Sequence, residues 1–278
     1  MLTDEQVAQF QQDGFLLGPR VLADAELDAL RGELMHLVEL GPDGIPEGEP
    51  QPVLFRNMRR DGQGVVWQIV NIWEACPAFR RLAFHREIVQ AIQQLTSAAE
   101  LMVWHDQIQY KPAEIGGATN WHQDAPYWPI IKPMTMVTAW VALDDVDADN
   151  GCMSMVPGSH LWGDQIPYLH SISGFDAIGE GFTPPNGSAG PVKPRLCPVR
   201  AGEVHFHHSL TWHGSHENHS GRPRRAIAVH YMTGQTVYDA SGNHPMKQFV
   251  SLDDGELMLR AGEAHFPIVC RDGAPVAA

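Results

Sequence analysis

Leu101-Met-Val-Trp-His-Asp-Gln-Ile-Gln-Tyr110, Met136-Val-Thr-Ala-Trp-Val-Ala-Leu143 and Ala226-Ile-Ala-Val-His-Tyr-Met232 decide the fold. Each is a run of seven to ten residues rich in β-branched, aromatic and apolar side chains. Such runs form strands buried on at least one face. Cys152–Val156 and Gly202–His207 read the same way, and Gly, Pro and Asn punctuate the intervals. Upstream of residue 100 the pattern is helical. Thr3 followed by Asp4, Glu5 and Gln6 predicts a capped helix that runs until Gly14. Ala23–Leu40 repeats Leu27, Leu30, Leu34, Leu37 and Val38 on one helical face. A third helical stretch is predicted over Cys76–Leu95, with Phe79, Leu82, Ile88, Ala91 and Ile92 as its apolar set. Residues 41–52 are dense in Gly and Pro and read as loop. Helices first and strands later predict a β barrel or jelly roll with helices packed outside.

The chain has 278 residues, a length that one large β domain can occupy. We expect a single domain over 1–278: a helical part to about 100, a β-rich core over about 101–235, and an irregular lid-like insertion over about 161–196. Lys and Arg total 19 against 33 Asp and Glu, a formal charge of −14. That balance argues against a nucleic-acid backbone or an anionic membrane as partner and leaves small molecules. No segment reaches the roughly 18 apolar residues of a membrane span. The four cysteines are scattered with no CxxC pair, so we expect neither a disulfide framework nor a thiolate zinc site. A cytoplasmic setting is expected from these features, and nothing in the chain sets an oligomeric state.

The chemistry concentrates in two segments. Asn120-Trp-His-Gln-Asp124 holds an HxD triplet, whose imidazole and carboxylate would project to one side of a strand. Chance alone supplies about one HxD in a chain with 15 His and 18 Asp. The second segment raises the weight of the first. Residues 205–219 contain His205, His207, His208, His213, His216 and His219, six histidines in fifteen residues. HxD plus any one later His completes the 2-His-1-carboxylate set of non-haem Fe(II) oxygenases, which leaves coordination positions open. Arg222, Arg224 and Arg225 follow, and one of these guanidinium groups could hold a dicarboxylate co-substrate bidentately. A zinc hydrolase using the same donors, and a jelly-roll binding protein without turnover, are the alternatives.

LTDEQVAQFQQDGFLL, WHQDAPYWP, DNGCMSMVPGSH and HGSHENHSGRPRRAIAVHY together resemble the phytanoyl-CoA dioxygenase family of Fe(II)- and 2-oxoglutarate-dependent oxygenases, over most of residues 1–235. The resemblance implies a double-stranded β-helix, a jelly-roll or cupin-like core, with the metal at one open end. It assigns His122, Asp124 and His213 as iron ligands, with His207 and His208 as neighbours. It assigns Arg224, with Arg225 as the alternative, to the distal carboxylate of 2-oxoglutarate, and Ser215 to a hydroxyl beside it. Trp140 becomes a wall of the co-substrate pocket and Gln107 a side chain against the co-substrate. Halogenating members replace the carboxylate that is Asp124 here, so the resemblance implies hydroxylation with Fe(II), 2-oxoglutarate and O2, releasing succinate and CO2.

Outside the resemblance, Tyr127 and Trp128 are candidates for the substrate cavity, and Arg56, Arg59, Arg60 and Trp67 could reach over its mouth. His160 is read as orienting a loop. Asn150-Gly151 predicts a plain hairpin turn. Residues 236–278 carry no legible motif.

Overall fold

The computed structural model describes residues 1–58, 64–172, 174–184 and 191–278. The chain opens with α1 (Asp4–Asp13), closed at its start by a capping box. Thr3 Oγ accepts from the Gln6 amide at 3.2 Å, and Gln6 Oε1 accepts from the Thr3 amide at 2.9 Å. Gly14 ends the helix at φ 82°. A side chain there would also collide with His160, so both conformation and space require glycine. β1 (Phe15–Arg20) follows, then α2 (Asp24–Leu40), which buries Leu27, Leu30, Leu34 and Leu37. β2 (Leu54–Asn57) and β3 (Trp67–Val70) form a hairpin. The region predicted as one helix over Cys76–Leu95 holds two, α4 (Pro77–Ala83) and α5 (Arg86–Thr96), and a short α3 (Ile72–Ala75) precedes them. Pro77 separates α3 from α4, because Cys76 before it is held extended and the proline opens a new helix.

β4 (Leu101–Lys111), β5 (Thr119–His122), β6 (Ile131–Lys132), β7 (Val137–Ala142) and β8 (Met153–Met155) come next. After the four-residue α6 (Ile166–Leu169) come β9 (Arg195–Cys197), β10 (Glu203–His208), β11 (His213–Ser215) and β12 (Arg224–Thr233). β13 (Val237–Tyr238), β14 (Ile268–Arg271) and β15 (Ala274–Pro275) finish the chain. Pairing is antiparallel throughout both main sheets. The large sheet runs β1-β10-β7-β12-β4-β14-β15, with β3 adding β2 alongside β4. The small sheet runs β5-β11-β8-β9. The large sheet curls and the small one closes over it. Phe15, Trp140, Ala142, Ala226 and Ala228 of the large sheet share a cluster with Met153, Met155 and Cys197 of the small one. This is the jelly roll expected from the sequence, mainly β with helices outside.

Side-chain alternation explains why the central strands read as unbroken apolar runs. On β12, Ile227, Val229 and Tyr231 pack with Leu34, Phe79, Ile88 and Ile92 of the helices. Ala226 and Ala228, with period two, face the barrel interior. β7 divides likewise into Val137, Ala139 and Val141 against Trp140 and Ala142. Both faces are buried; the inner one carries Thr138, His205, His207, Arg224 and His230, whereas the outer one is apolar apart from groups such as Asp106, which accepts from the Ile72 and Trp73 amides, and Arg225.

Two local expectations change. Asn150-Gly151 turns the chain from the large sheet into the small one, so it does not close a plain hairpin. Asn150 is fully buried there, accepting from the Asp147 amide at 2.8 Å and donating to Asp145 O at 2.8 Å. Within 161–196, the described residues carry α6 and a packed cluster of Leu169, Ile178 and Val192 against Trp121 and Trp212. Among the described residues no helix is long and apolar enough to cross a membrane. All four cysteines are free and buried.

Candidate active site

His122 ends β5, and its cross-strand partner on β11 is His213. Register therefore brings together two residues 91 apart in sequence, with ring centroids 4.1 Å apart. Asp124 reaches the same point by a different route from the one its spacing suggests. It lies beyond the strand, in helical backbone (φ −77°, ψ −52°) capping the turn Ala125–Tyr127. Strand alternation thus does not account for the HxD geometry. Instead Ser209 O accepts from the amides of Asp124 and Ala125 at 2.9 and 3.0 Å and fixes the turn.

The three donors converge. Asp124 Oδ1 lies 3.7 Å from Nε2 of each histidine, and one ligand atom from each residue falls within 4.8 Å of the others. His122 Nδ1 pairs with Asn120 O and His213 Nδ1 with Thr211 O, both at 2.9 Å. A carbonyl only accepts, so each Nδ1 carries the proton and each Nε2 lone pair turns toward Asp124. Burial pushes the His122 imidazole down to about 4, with the neighbouring His213 adding to it, and burial also lowers His213. Burial alone would raise the Asp124 carboxyl, but His213 and the His207 hydrogen bond outweigh it and hold the group well below the usual carboxylate range. Two imidazole nitrogens and one carboxylate oxygen in their metal-binding forms suit a divalent iron with open positions.

Arg224 sits on the inner face, 0% exposed, and its Nε and Nη2 have no partner among the described residues. Its guanidinium carbon lies 5.0 Å from the Trp140 ring centroid. Nη1 approaches Gln109 O only at 3.5 Å. Burial lowers its pKa to about 10, which leaves a buried cation whose donors await an acceptor. Arg225 points the other way, where its Nε and Nη2 donate to Asp144 at 2.8 and 2.7 Å. Ser215 is buried, and its Oγ accepts from Lys111 Nζ at 2.7 Å. Lys111 is fully buried and is the cross-strand partner of Arg224, a second interior cation that sequence reading missed. Gln107 faces the interior, and its Oε1 accepts from Gln68 Nε2 at 2.6 Å.

A cavity of about 560 Å³ opens beside the triad, bordered by His122 and Asp124 themselves. Tyr127 and Trp128 line it, as does Gln107. Tyr127 OH meets His170 Nε2 at 2.7 Å, and Trp128 packs on His230 and His105. His105, His230 and His244 were not anticipated as lining residues. The first two had a signal on β4 and β12, where a His interrupts an apolar run, whereas His244 precedes the turn Pro245–Phe249 in a region without a motif. Arg56 lines the cavity and donates from Nε to Gln68 Oε1 at 2.8 Å, while Trp67 packs on Phe55. Arg59 and Arg60 lie outside the described residues. His160 pairs with Gln11 O at 3.2 Å, and its ring lies tilted against His208 with centroids 5.3 Å apart.

Residues 10–226 match the family model of phytanoyl-CoA dioxygenase. The chain belongs to this family. The matched span includes His122, Asp124, His213 and Arg224. The peroxisomal phytanoyl-CoA dioxygenase of Mus musculus is 27% identical over 254 residues, covering 83% of this chain and 68% of that protein. Among solved structures, the non-haem α-ketoglutarate-dependent carbocyclase SnoK from nogalamycin biosynthesis is 28% identical, with a TM-score of 0.76 and 96% of both chains covered. The epimerase SnoN, solved with Fe3+, α-ketoglutarate and nogalamycin RO, is 25% identical with a TM-score of 0.72, covering 95% of this chain and 97% of that one. The family member described here is accordingly an iron- and 2-oxoglutarate-dependent oxygenase that uses O2.

Proposed function

We propose that this oxygenase hydroxylates an unactivated C–H bond of a small molecule, releasing succinate and CO2, with His122, Asp124 and His213 holding Fe(II). The observation that carries the reading is Arg224, a fully buried guanidinium with two unpartnered donor atoms inside the barrel that holds the triad. A metal hydrolase or a simple metal-binding protein would leave that cation without a purpose, whereas the distal carboxylate of 2-oxoglutarate satisfies it bidentately. Iron with 2-oxoglutarate supplies the oxidising power, and the chain supplies orientation and exclusion of side reactions. Ser215 stands as the hydroxyl beside the anchored carboxylate, Trp140 as the wall beneath the guanidinium, and Gln107 as the amide beside the co-substrate. Keeping Asp124 as third ligand favours hydroxylation over halogenation.

The substrate would lie in the 560 Å³ cavity against Tyr127, Trp128, Leu169 and Ile172, so part of the 161–196 insertion acts as its cover. Among the described residues, that lining includes no lysine and no carboxylate besides Asp124. With Arg56 as its guanidinium among the described residues, this wall suits a hydrogen-bonding metabolite better than a CoA thioester with its several phosphates. Carbon-ring formation and epimerisation by the similar SnoK and SnoN mark the other outcomes open to the same site. A cytosolic setting, which four free cysteines suit, completes the proposal.

Anaerobic titration of metal-free protein with Fe(II) and 2-oxoglutarate tests this without a known substrate. A saturable visible charge-transfer band that Arg224→Leu weakens is the expected result. Iron binding with no band in the unmodified protein would overturn the reading.

A further inference from the structure

Asp124 has two oxygens, and the structure treats them differently. Oδ1 faces Nε2 of both His122 and His213 at 3.7 Å. Oδ2 faces away from them, toward His207 Nε2 at 3.2 Å and Thr138 Oγ1 at 3.3 Å. Neither partner is a metal ligand in the arrangement described above. His207 is 1% exposed and Thr138 fully buried, so neither contact competes with water. They come from adjacent strands, since Thr138 on β7 pairs directly with His207 on β10.

The proton positions follow from what each group can do. An ionised carboxylate only accepts, so His207 donates its Nε2–H. His207 Nδ1 is buried with no partner among the described residues, which suits the tautomer bearing its proton on Nε2. Thr138 has a single hydroxyl proton, which goes to Asp124. Its oxygen then accepts from His230 Nδ1 at 2.8 Å. His230 lines the substrate cavity. A continuous path thus runs from the cavity wall through His230 and Thr138 to the non-ligating oxygen of Asp124.

We propose that His207 and Thr138 are positioning residues that clamp Asp124 Oδ2, so that the carboxylate offers the iron only Oδ1. An unclamped carboxylate could swing both oxygens onto the metal and occupy a position that 2-oxoglutarate or O2 requires. The clamp enforces one-oxygen ligation and keeps that position open. Ligand-orienting hydrogen bonds of this kind are worth roughly 10- to 100-fold in metal affinity or activity. The inference rests on the ligand assignment of the proposed function, and its test separates the two.

Fe(II) affinity and the charge-transfer band of the Fe(II)–2-oxoglutarate complex are measured anaerobically in four variants, alongside thermal unfolding of the metal-free proteins. His207→Phe keeps ring volume without a donor, and His207→Gln keeps a terminal N–H. Thr138→Val keeps shape without a hydroxyl, and Thr138→Ser restores the hydroxyl. We expect His207→Phe and Thr138→Val to weaken Fe(II) binding roughly 10- to 100-fold and to shift the band, with His207→Gln and Thr138→Ser recovering most of the loss. Wild-type affinity and band in His207→Phe and Thr138→Val would overturn the clamp while leaving the oxygenase reading intact. A loss that follows unfolding temperature across all four variants, with no recovery in the donor-bearing pair, would overturn it as well. Absence of the band in the unmodified protein would instead strike the proposed function.

Discussion

The two faces of the large sheet are made by alternate residues of the same strands, and they differ in one respect. Toward the helices, Val103, Ile108, Val141, Phe206, Ile227 and Val229 meet α2, α4 and α5 in an apolar cluster. Toward the barrel interior, the same strands present Gln107, Thr138, His205, His207, Arg224 and His230, of which all but Gln107 are buried. Several polar atoms of that inner set, on His205, His207 and Arg224, have no partner among the described residues. Buried polar groups without partners oppose folding, whereas packed aliphatic groups drive it. The outer face therefore holds the fold together, and the inner face carries a cost that a bound co-substrate would offset at Arg224.

If that division is right, the largest effects should fall on opposite properties when opposite faces are altered. Replacing Asp124 or His213 by Ala should abolish Fe(II)-dependent succinate release while the metal-free protein stays folded. In the unmodified protein, Fe(II) with 2-oxoglutarate should raise the unfolding midpoint, because ligands bind only the folded state. Both variants retaining turnover would remove the assigned ligands from the chemistry. On the other face, Phe79 is fully buried on α4 against the sheet, and Phe79→Ala should cost about 3–5 kcal/mol in denaturant unfolding. The protein that remains folded should still bind 2-oxoglutarate with wild-type affinity. A large loss of affinity at full folding would show that the two faces are coupled.

Arg224 sharpens the comparison because it should separate function from stability within one side chain. Leucine in its place loses a desolvated charge pair with the co-substrate, worth about 2–5 kcal/mol, and should raise the 2-oxoglutarate requirement roughly 100-fold or more with little change in the Fe(II) requirement. Removing a buried cation that has no carboxylate partner among the described residues should leave unliganded stability unchanged or improved. A stability loss without a change in 2-oxoglutarate dependence would make Arg224 a structural residue.

The same division explains what the sequence disclosed. Strands β4, β7, β10 and β12 were legible because both of their faces are buried, giving continuous apolar runs. β1 was not, because Phe15-Leu-Leu-Gly-Pro-Arg20 is an edge strand interrupted by Gly18 and Pro19. β2 and β3 were missed as four-residue strands too short for a periodic signal. In the site, His122, Asp124 and His213 were chosen by resemblance, while the strand argument for HxD failed because Asp124 sits in a helical turn. His207 and Thr138 could not be chosen from sequence, since period two says that His205 and His207 share a face but not which face is the interior. The Lys111–Ser215 contact depends on packing across the barrel between residues 104 apart, which no local pattern encodes.

Arg225 supplies the smallest effect and the most direct check on register, because it differs from Arg224 by one position and therefore by a whole face of the sheet. Its guanidinium donates twice to Asp144, with both side chains partly shielded at 16% and 13% exposure. Arg225→Ala should cost about 1–2 kcal/mol of stability, in the range of a hydrogen-bonded charge discounted for partial exposure to solvent. It should leave the 2-oxoglutarate titration unchanged, since Asp144 occupies the donors that a co-substrate would need. The opposite pattern, with Arg225→Ala raising the 2-oxoglutarate requirement and Arg224→Leu leaving it alone, would place the anchor on the outer face. Strand β12 would then have to slip by one residue in solution, turning Ile227 and Val229 out of the helix-facing cluster and into the barrel. The loss of apolar burial makes that slip costly, so paired titrations of the two variants test the register of β12 together with the assignment of the anchor.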